Sequence, residues 1–316
     1  MKKKLLIATI SACLVAALCV CTACSPALRF VTGGEAGTYY AVGQVIAQKV
    51  SGDTATKVSA LSGNGSQANC NALKDGDVEF AFSQSDVASY AYNGTSLFTE
   101  QITNFSVVAA LYMEQVQIVT CDSSIRTVAD LAGKRVSIGA RGSGVYFNAI
   151  DILGAYGITE ADITPTYQSF ADSADALTNG TIDAAFIVAG APTSAITQLS
   201  VNKQAYLVSL DDAHINTLCA SSPFYSKNVI PANTYAGITS PVTTVAISAL
   251  VLVRNDVSEN DVYNFVSTIF NNLDTLTTSH AKFGEFSLEF GSSVEGIPYH
   301  AGAAKYFAEK GYTVAD

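Results

Sequence analysis

The sequence predicts an α/β fold in two lobes with a ligand cleft between them. Three observations predict it. Short apolar runs alternate with segments of helical spacing, Gly/Ser-rich turns stand where a run meets a helix, and the pattern restarts near residue 116. A parallel strand pair needs a crossover, commonly a helix, so strand, turn and helix in repetition specify β-α-β units.

The elements follow in order. Residues 28–32 form the first strand, and Gly33-Gly34-Glu35-Ala36-Gly37 the turn after it. Val42, Val45, Ile46 and Val50 recur at helical spacing over residues 40–50. Residues 57–61 are the next strand, 62–65 a turn, and 66–73 a helix broken by Asp75-Gly76-Asp77. Residues 78–82 are the third strand, with Ser83-Gln84-Ser85 at its carboxyl end. After a strand at 116–120 the grammar restarts: strand 136–139, then Arg141-Gly142-Ser143-Gly144, then helix 145–155. Residues 182–188 and 205–210 are further strands. The apolar stretch 244–253 is too short to cross a bilayer and reads as a buried strand, with the chain returning to the first lobe near 245–254. Val262, Phe265, Val266, Ile269, Phe270 and Leu273 then make a helical packing stripe. The division is therefore residues 24–115 and 246–316 in lobe I and 116–245 in lobe II. Ligands of open α/β sheets bind beyond the carboxyl ends of the strands, which places the cleft between the lobes.

The first residues carry an export signal. Lys2, Lys3 and Lys4 precede an uncharged, mostly apolar run over 5–21 that ends in Thr22-Ala23-Cys24. This is the grammar of a secretory signal peptide, here residues 1–23. Small residues before a cysteine resemble the lipobox of bacterial lipoproteins, which implies cleavage before Cys24 and a lipid anchor on it. The lipobox usually has Leu where Cys21 stands. An ordinary secretory signal and an uncleaved anchor are the alternatives. Removing the three lysines takes the formal net charge from −10 to −13, so nucleic acid has no basic surface to bind. Cys70, Cys121 and Cys219 are widely separated, without metal-ligand spacing. They read as buried free thiols, and a single pair with one leftover thiol stays open.

The chemistry lies in three loops: 33–39, 62–66 and 141–144. Each brings hydroxyls and backbone N–H groups to a helix N-terminus, where the N–H groups lack intrahelical partners and the dipole is positive. Such ends hold carboxylates or phosphates. One such loop alone is ordinarily a capped turn; three facing one cleft point to an anion site. Neither a dinucleotide fingerprint nor a P-loop is present.

Thr32-Gly33-Gly34-Glu35-Ala36-Gly37-Thr38-Tyr39-Tyr40-Ala41-Val42-Gly43 resembles the opening motif of the TAXI family. These are substrate-binding receptors of tripartite ATP-independent periplasmic (TRAP) transporters. Asn64-Gly65-Ser66, Phe82-Ser83-Gln84-Ser85-Asp86, Tyr112-Met113-Glu114, Asp130-Leu131-Ala132-Gly133-Lys134-Arg135-Val136 and Gly142-Ser143-Gly144 continue the likeness. The segment from Ile297-Pro298-Tyr299-His300 to Tyr306 is similar to the family's C-terminal element. The resemblance implies a two-lobed periplasmic-binding-protein fold without a cofactor. It also implies a small carboxylate ligand, glutamate-like or a 2-oxoacid or dicarboxylate, and a TRAP-type membrane permease as partner. Carried over by loop, the ligand contacts are Thr38, Tyr39, Asn64, Gly65, Ser66, Gln84, Ser85, Gly142, Ser143 and Gly144. Arg141 either pairs with a ligand carboxylate or is a solvated loop charge. Glu114 is placed to read a ligand amine.

An enzyme is disfavoured. The only histidines are His214, His280 and His300, none of them in the Gly/Ser loops, and no Gly-x-Ser-x-Gly elbow or zinc motif occurs. A periplasmic hydrolase is therefore the weaker rival. A ligand-sensing surface lipoprotein without transport shares the binding chemistry.

Overall fold

The computed structural model describes residues 26–315. The predicted signal peptide and Cys24 lie outside the described residues. Strands β1 (Leu28–Val31), β2 (Val58–Leu61) and β3 (Phe80–Gln84) are parallel, joined by α1 (Thr38–Asp53) and α2 (Ser66–Asp75). Helix α3 (Ser85–Asn93) leads to the long strand β4 (Phe105–Thr120). Strand β5 (Arg135–Ser137), α4 (Gly144–Ala155), β6 (Thr164–Thr166), α5 (Phe170–Asn179) and β7 (Ala184–Ala189) form a second parallel set. Then come α6 (Ser194–Asn202), β8 (Tyr206–Val208), α7 (Asp212–Ser221), β9 (Ser226–Ile230) and the long β10 (Val242–Arg254). Helices α8 (Glu259–Asn271), α9 (Leu273–Ser279), α10 (Leu288–Gly291) and α11 (Ala301–Glu309) complete the chain.

All ten strands share one sheet, ordered β2-β1-β3-β10-β4-β7-β5-β6, with β8 on β4 and β9 on β10. Two strands are common to both halves. β4 and β10 run antiparallel from Phe105↔Arg254 to Gln115↔Ala246. At Gln115 β4 passes from β10 to β7, and at Ala246 β10 passes to β9. Burial explains the length of β4, since every residue except Met113 is buried. A strand covered on both faces needs continuous apolar character rather than alternation.

The cores follow this division. One is built from residues between Phe30 and Tyr112 and between Ala249 and Phe307, with Phe147 added from α4. Two others draw on residues between Val116 and Ile247. Phe147 reaches the first core from the second half, so the halves are closed on each other.

Three strands differ from the sequence expectation, and helices α5, α6, α7, α10 and α11 are not anticipated by it. Strand β4 starts at Phe105, well before 116, because residues 105–115 are buried with no polar alternation to mark them. β6 contains Pro165 and β9 is mostly polar, and both lie at the sheet's margins, where local pattern is weak.

Candidate functional site

Helices α1, α2, α3 and α4 follow the carboxyl ends of β1, β2, β3 and β5. Their N-cap residues are Gly37, Gly65, Gln84 and Ser143, and none makes a side-chain capping bond. Asp211, Ser258 and His300 cap α7, α8 and α11, whereas Thr193 and Asn272, before α6 and α9, make no side-chain cap either. Gly37, Gly65, Gln84 and Ser143 all line one cavity of about 140 Å3. Ala68 and Val87 spend their N–H groups on the Gly142 carbonyl and Asp86 Oδ1; the other N–H groups of an uncapped first turn are free to bind an anion there.

The cavity lies between the halves. Residues 24–115 contribute Gly33, Gly34, Gly37, Thr38, Tyr39, Gly63, Asn64, Gly65, Ser66, Gln84 and Glu114 to its wall. Residues 116–245 contribute Ala140, Ser143, Gly144, Val145, Gln168, Ser169, Phe170, Val188 and Ala189. Of the residues expected from sequence, Thr38, Tyr39, Asn64, Gly65, Ser66, Gln84, Ser143 and Gly144 are thus brought together. Ser85, Arg141 and Gly142 are not on the wall. Ser85 is the half-buried first residue of α3. The Arg141 guanidinium stacks 3.9 Å from the centre of the Tyr167 ring. The Gly142 carbonyl accepts from the Ala68 N–H across the cleft at 2.9 Å.

Among the described residues no lysine, arginine or histidine lines the cavity, and Glu114 is its only ionisable carboxyl. Glu114 Oε2 accepts from the Tyr39 hydroxyl at 2.7 Å. Burial pushes the Glu114 carboxyl up to about 8, with the Tyr39 bond and the charge of Lys282 opposing. At neutral pH the group is mostly protonated, which removes a negative charge from the cavity wall. Burial also raises the Tyr39 hydroxyl well above its usual range. The Tyr39 ring stacks on Phe82 at 4.5 Å, so its position is fixed by packing as well.

Several polar groups are already engaged. Thr38 Oγ1 donates to the Gly190 carbonyl across the cleft at 2.8 Å, so its hydroxyl proton holds the lobes rather than a ligand. Ser66 Oγ accepts from the Gln84 backbone N–H at 3.0 Å and keeps its own proton to donate. Gln84 Oε1, Ser143 Oγ and Gln168 Oε1 are buried without a partner. Burying unpaired polar atoms is costly, and these three share one cavity wall.

The conformation is closed. Lys282, buried in lobe I, donates to the Ala191 carbonyl at 2.8 Å, and the Ala195 N–H reaches the Ala36 carbonyl at 3.3 Å. Two glycines let the halves meet. A Cβ on Gly65 would lie 3.0 Å from Ser143 Cα, and one on Gly144 would lie 1.5 Å from Gln84 Oε1.

Sequence reasoning missed Gln168, Ser169 and Phe170, which sit in a segment with no recognisable motif. It also missed Asn148 and Lys282. Asn148 left a readable trace, as a fully buried amide in the otherwise apolar stretch of α4. The histidines lie elsewhere. His214 stacks on Tyr156, while His280 and His300 accept from the Lys282 and Gly302 N–H groups.

The chain belongs to the NMT1-like family, whose model matches residues 30–311. An R. palustris protein solved with adipate superposes with a TM-score of 0.55 at 16% identity, over 82% of this chain and 87% of that one. The ligand-binding component of an ABC-type import system from Staphylococcus aureus gives 0.51 at 11% identity, over 92% and 85%. The alkanesulfonate-binding protein of Xanthomonas axonopodis pv. citri, bound to MOPS, gives 0.50 at 17%, over 89% and 83%. The fold is therefore that of the periplasmic binding proteins, with the cavity in the cleft between lobes.

Proposed function

We propose that this chain is an extracytoplasmic solute-binding protein that closes on a small organic anion and presents it to a membrane transporter. One observation carries it: four uncapped helix N-termini and the unpartnered Gln84 Oε1 and Ser143 Oγ meet at a closed cavity without a basic side chain. Backbone dipoles there replace a cationic side chain. The volume, about 140 Å3, suits a compact solute, since a cavity of about 150 Å3 holds benzene. A carboxylate of glutamate-like, 2-oxoacid or dicarboxylate type fits both the size and the dipoles. Among the described residues no histidine lines the wall, which favours binding over hydrolysis.

The finer parts of the proposal rest on the sequence motifs. The TAXI-like opening motif favours a TRAP-type permease as partner, and Thr22-Ala23-Cys24 favours a lipid anchor on Cys24. The likeness to the ligand-binding component of an ABC-type import system from Staphylococcus aureus favours an ABC-type importer instead. A thermal-shift screen over amino acids, dicarboxylates and 2-oxoacids tests the binding. A true ligand at about 100 times its Kd adds about 2.7 kcal/mol to stability. If no compound raises the melting temperature, the solute-binding proposal fails. Uptake in cells then separates the two partners. Collapse by an ionophore with ATP maintained indicates an ion-gradient permease, whereas loss on ATP depletion alone indicates an ABC importer.

A further inference from the structure

We infer that Asn148 is a specificity-determining positioning residue. It fixes the Gln84 amide so that an oxygen acceptor faces the bound anion, and the site therefore selects acids bearing a hydrogen-bond donor beside the carboxylate. This rests on the solute-binding proposal above and deepens it.

The orientation of the two amides is set from outside the cavity. Asn148 Nδ2 faces two acceptors, Asp86 Oδ2 at 2.9 Å and the Tyr225 hydroxyl oxygen at 3.0 Å. The Tyr225 hydroxyl spends its proton on Asp151 Oδ2 at 2.8 Å, so towards Asn148 it can only accept. Asp86 Oδ1 is occupied by the Val87 N–H at 2.7 Å, which holds that carboxyl in place. The amide nitrogen of Asn148 is thus pinned towards Asp86 and Tyr225. Its oxygen then has to face Gln84, and Gln84 Nε2 donates to it at 2.9 Å. With the Gln84 nitrogen committed, its Oε1 is left over as an acceptor only.

That oxygen is 1.5 Å from where a Gly144 Cβ would stand, and it is buried and unpartnered. Gly144 is the first residue of α4, so an anion held by that N-terminus lies beside the same atom. A ligand group meeting Gln84 Oε1 is consequently close to the anionic carbon. A hydroxyl or ammonium on carbon 2 satisfies the acceptor. A 2-oxo group there sets two acceptor oxygens against each other and leaves Gln84 Oε1 unpaired. Sites built to pair a polar group discriminate strongly against analogues that lack it. Gln84 and Asp86 belong to lobe I and Asn148, Asp151 and Tyr225 to lobe II. The orienting relay therefore assembles only as the cleft closes, and the donor is read at closure.

Isothermal titration with skeleton-matched probes tests this: 2-hydroxyglutarate and glutamate against 2-oxoglutarate, and lactate and alanine against pyruvate. In each set that binds, the wild type should favour the donor-bearing acid by about tenfold or more. Asn148→Leu frees the Gln84 amide to turn, and the ratio should fall towards one or invert. Gln84→Met removes the acceptor and the donor to Asn148 Oδ1 but leaves the bonds of Asn148 Nδ2 to Asp86 and Tyr225 in place, and guards against misfolding of the first variant. It should lower the ratio as well. A wild type that binds hydroxy, amino and oxo acids equally overturns this inference but leaves the solute-binding proposal standing. So does a ratio unchanged in Gln84→Met. Binding of none of the probes or of the screened solutes overturns both.

Discussion

Gly144→Ala separates closure from folding. Gly144 opens α4 and has no left-handed backbone, so alanine there would ordinarily favour the helix. In the closed cleft its Cβ would lie 1.5 Å from Gln84 Oε1, 2.5 Å from Gln84 Cδ and 3.0 Å from Ser66 Oγ. Gln84 cannot swing aside freely, because its Nε2 is held by Asn148 Oδ1 at 2.9 Å. Either that bond breaks or the lobes stay apart. Forcing a methyl into a packed site costs about 1–3 kcal/mol, and here the cost falls on the closed state alone. Affinity should therefore drop by about 5- to 150-fold while the unliganded melting temperature stays near that of the wild type. Titration with the screened ligand gives the affinity, and small-angle scattering gives the closure. The wild type should contract on saturation and the variant should contract less. If Gly144→Ala binds and contracts like the wild type, the interlocked cleft is not the binding conformation.

Three further outcomes follow from the same geometry. Glu114, held up to about 8, binds a proton in the folded protein that the unfolded chain releases near about 4.3. Its stabilising contribution is present in full below the unfolded value and is lost as pH rises through about 8. Asp86, raised to about 7, has the same sign. The melting temperature should thus fall between pH 5 and 8, less steeply in Glu114→Gln, and parallel curves would argue against a buried protonated Glu114. Ser143→Ala removes a hydroxyl placed for a charged group and should weaken binding about 10- to 100-fold. Lys134→Ala, off the cavity wall, should change little; a reversed order of the two in titration would move the site elsewhere. Finally, wild-type protein should fractionate with membranes and Cys24→Ala should not, with mass spectrometry of the mature N-terminus as the check.

Much of the fold was legible because local chemistry agreed with it. The turn after β1, the Asp75-Gly76-Asp77 break and the apolar stripe of α8 each point to one structure, and each is where expected. The first half of β4 was not legible. Its burial on both faces comes from helices distant in sequence, and residues 105–115 carry neither strand alternation nor a bounding turn. The pairing of Gln115 with Ala246 brings together residues more than a hundred positions apart, and only the sheet assembles it.

The site was legible to the extent that helix starts were. Capping normally pairs the first N–H groups of a helix with a Ser, Thr, Asp or Asn side chain. At α1 and α2 the N-cap residue is glycine, which has no side chain to offer. At α4 it is Ser143, a good capping residue, yet its Oγ is buried and caps nothing. Sequence alone would assign that hydroxyl to its own helix; only the folded cleft leaves it unpaired. Asn148 reverses the case. Within α4 it looks like a misplaced amide, but Asp86 and Tyr225, on segments 62 and 77 residues away, account for its nitrogen and Gln84 for its oxygen. Buried polar atoms are the most demanding part of the accounting, since each needs a partner. In this cleft the atoms with protein partners define the closed frame, and those without define the space a ligand must complete.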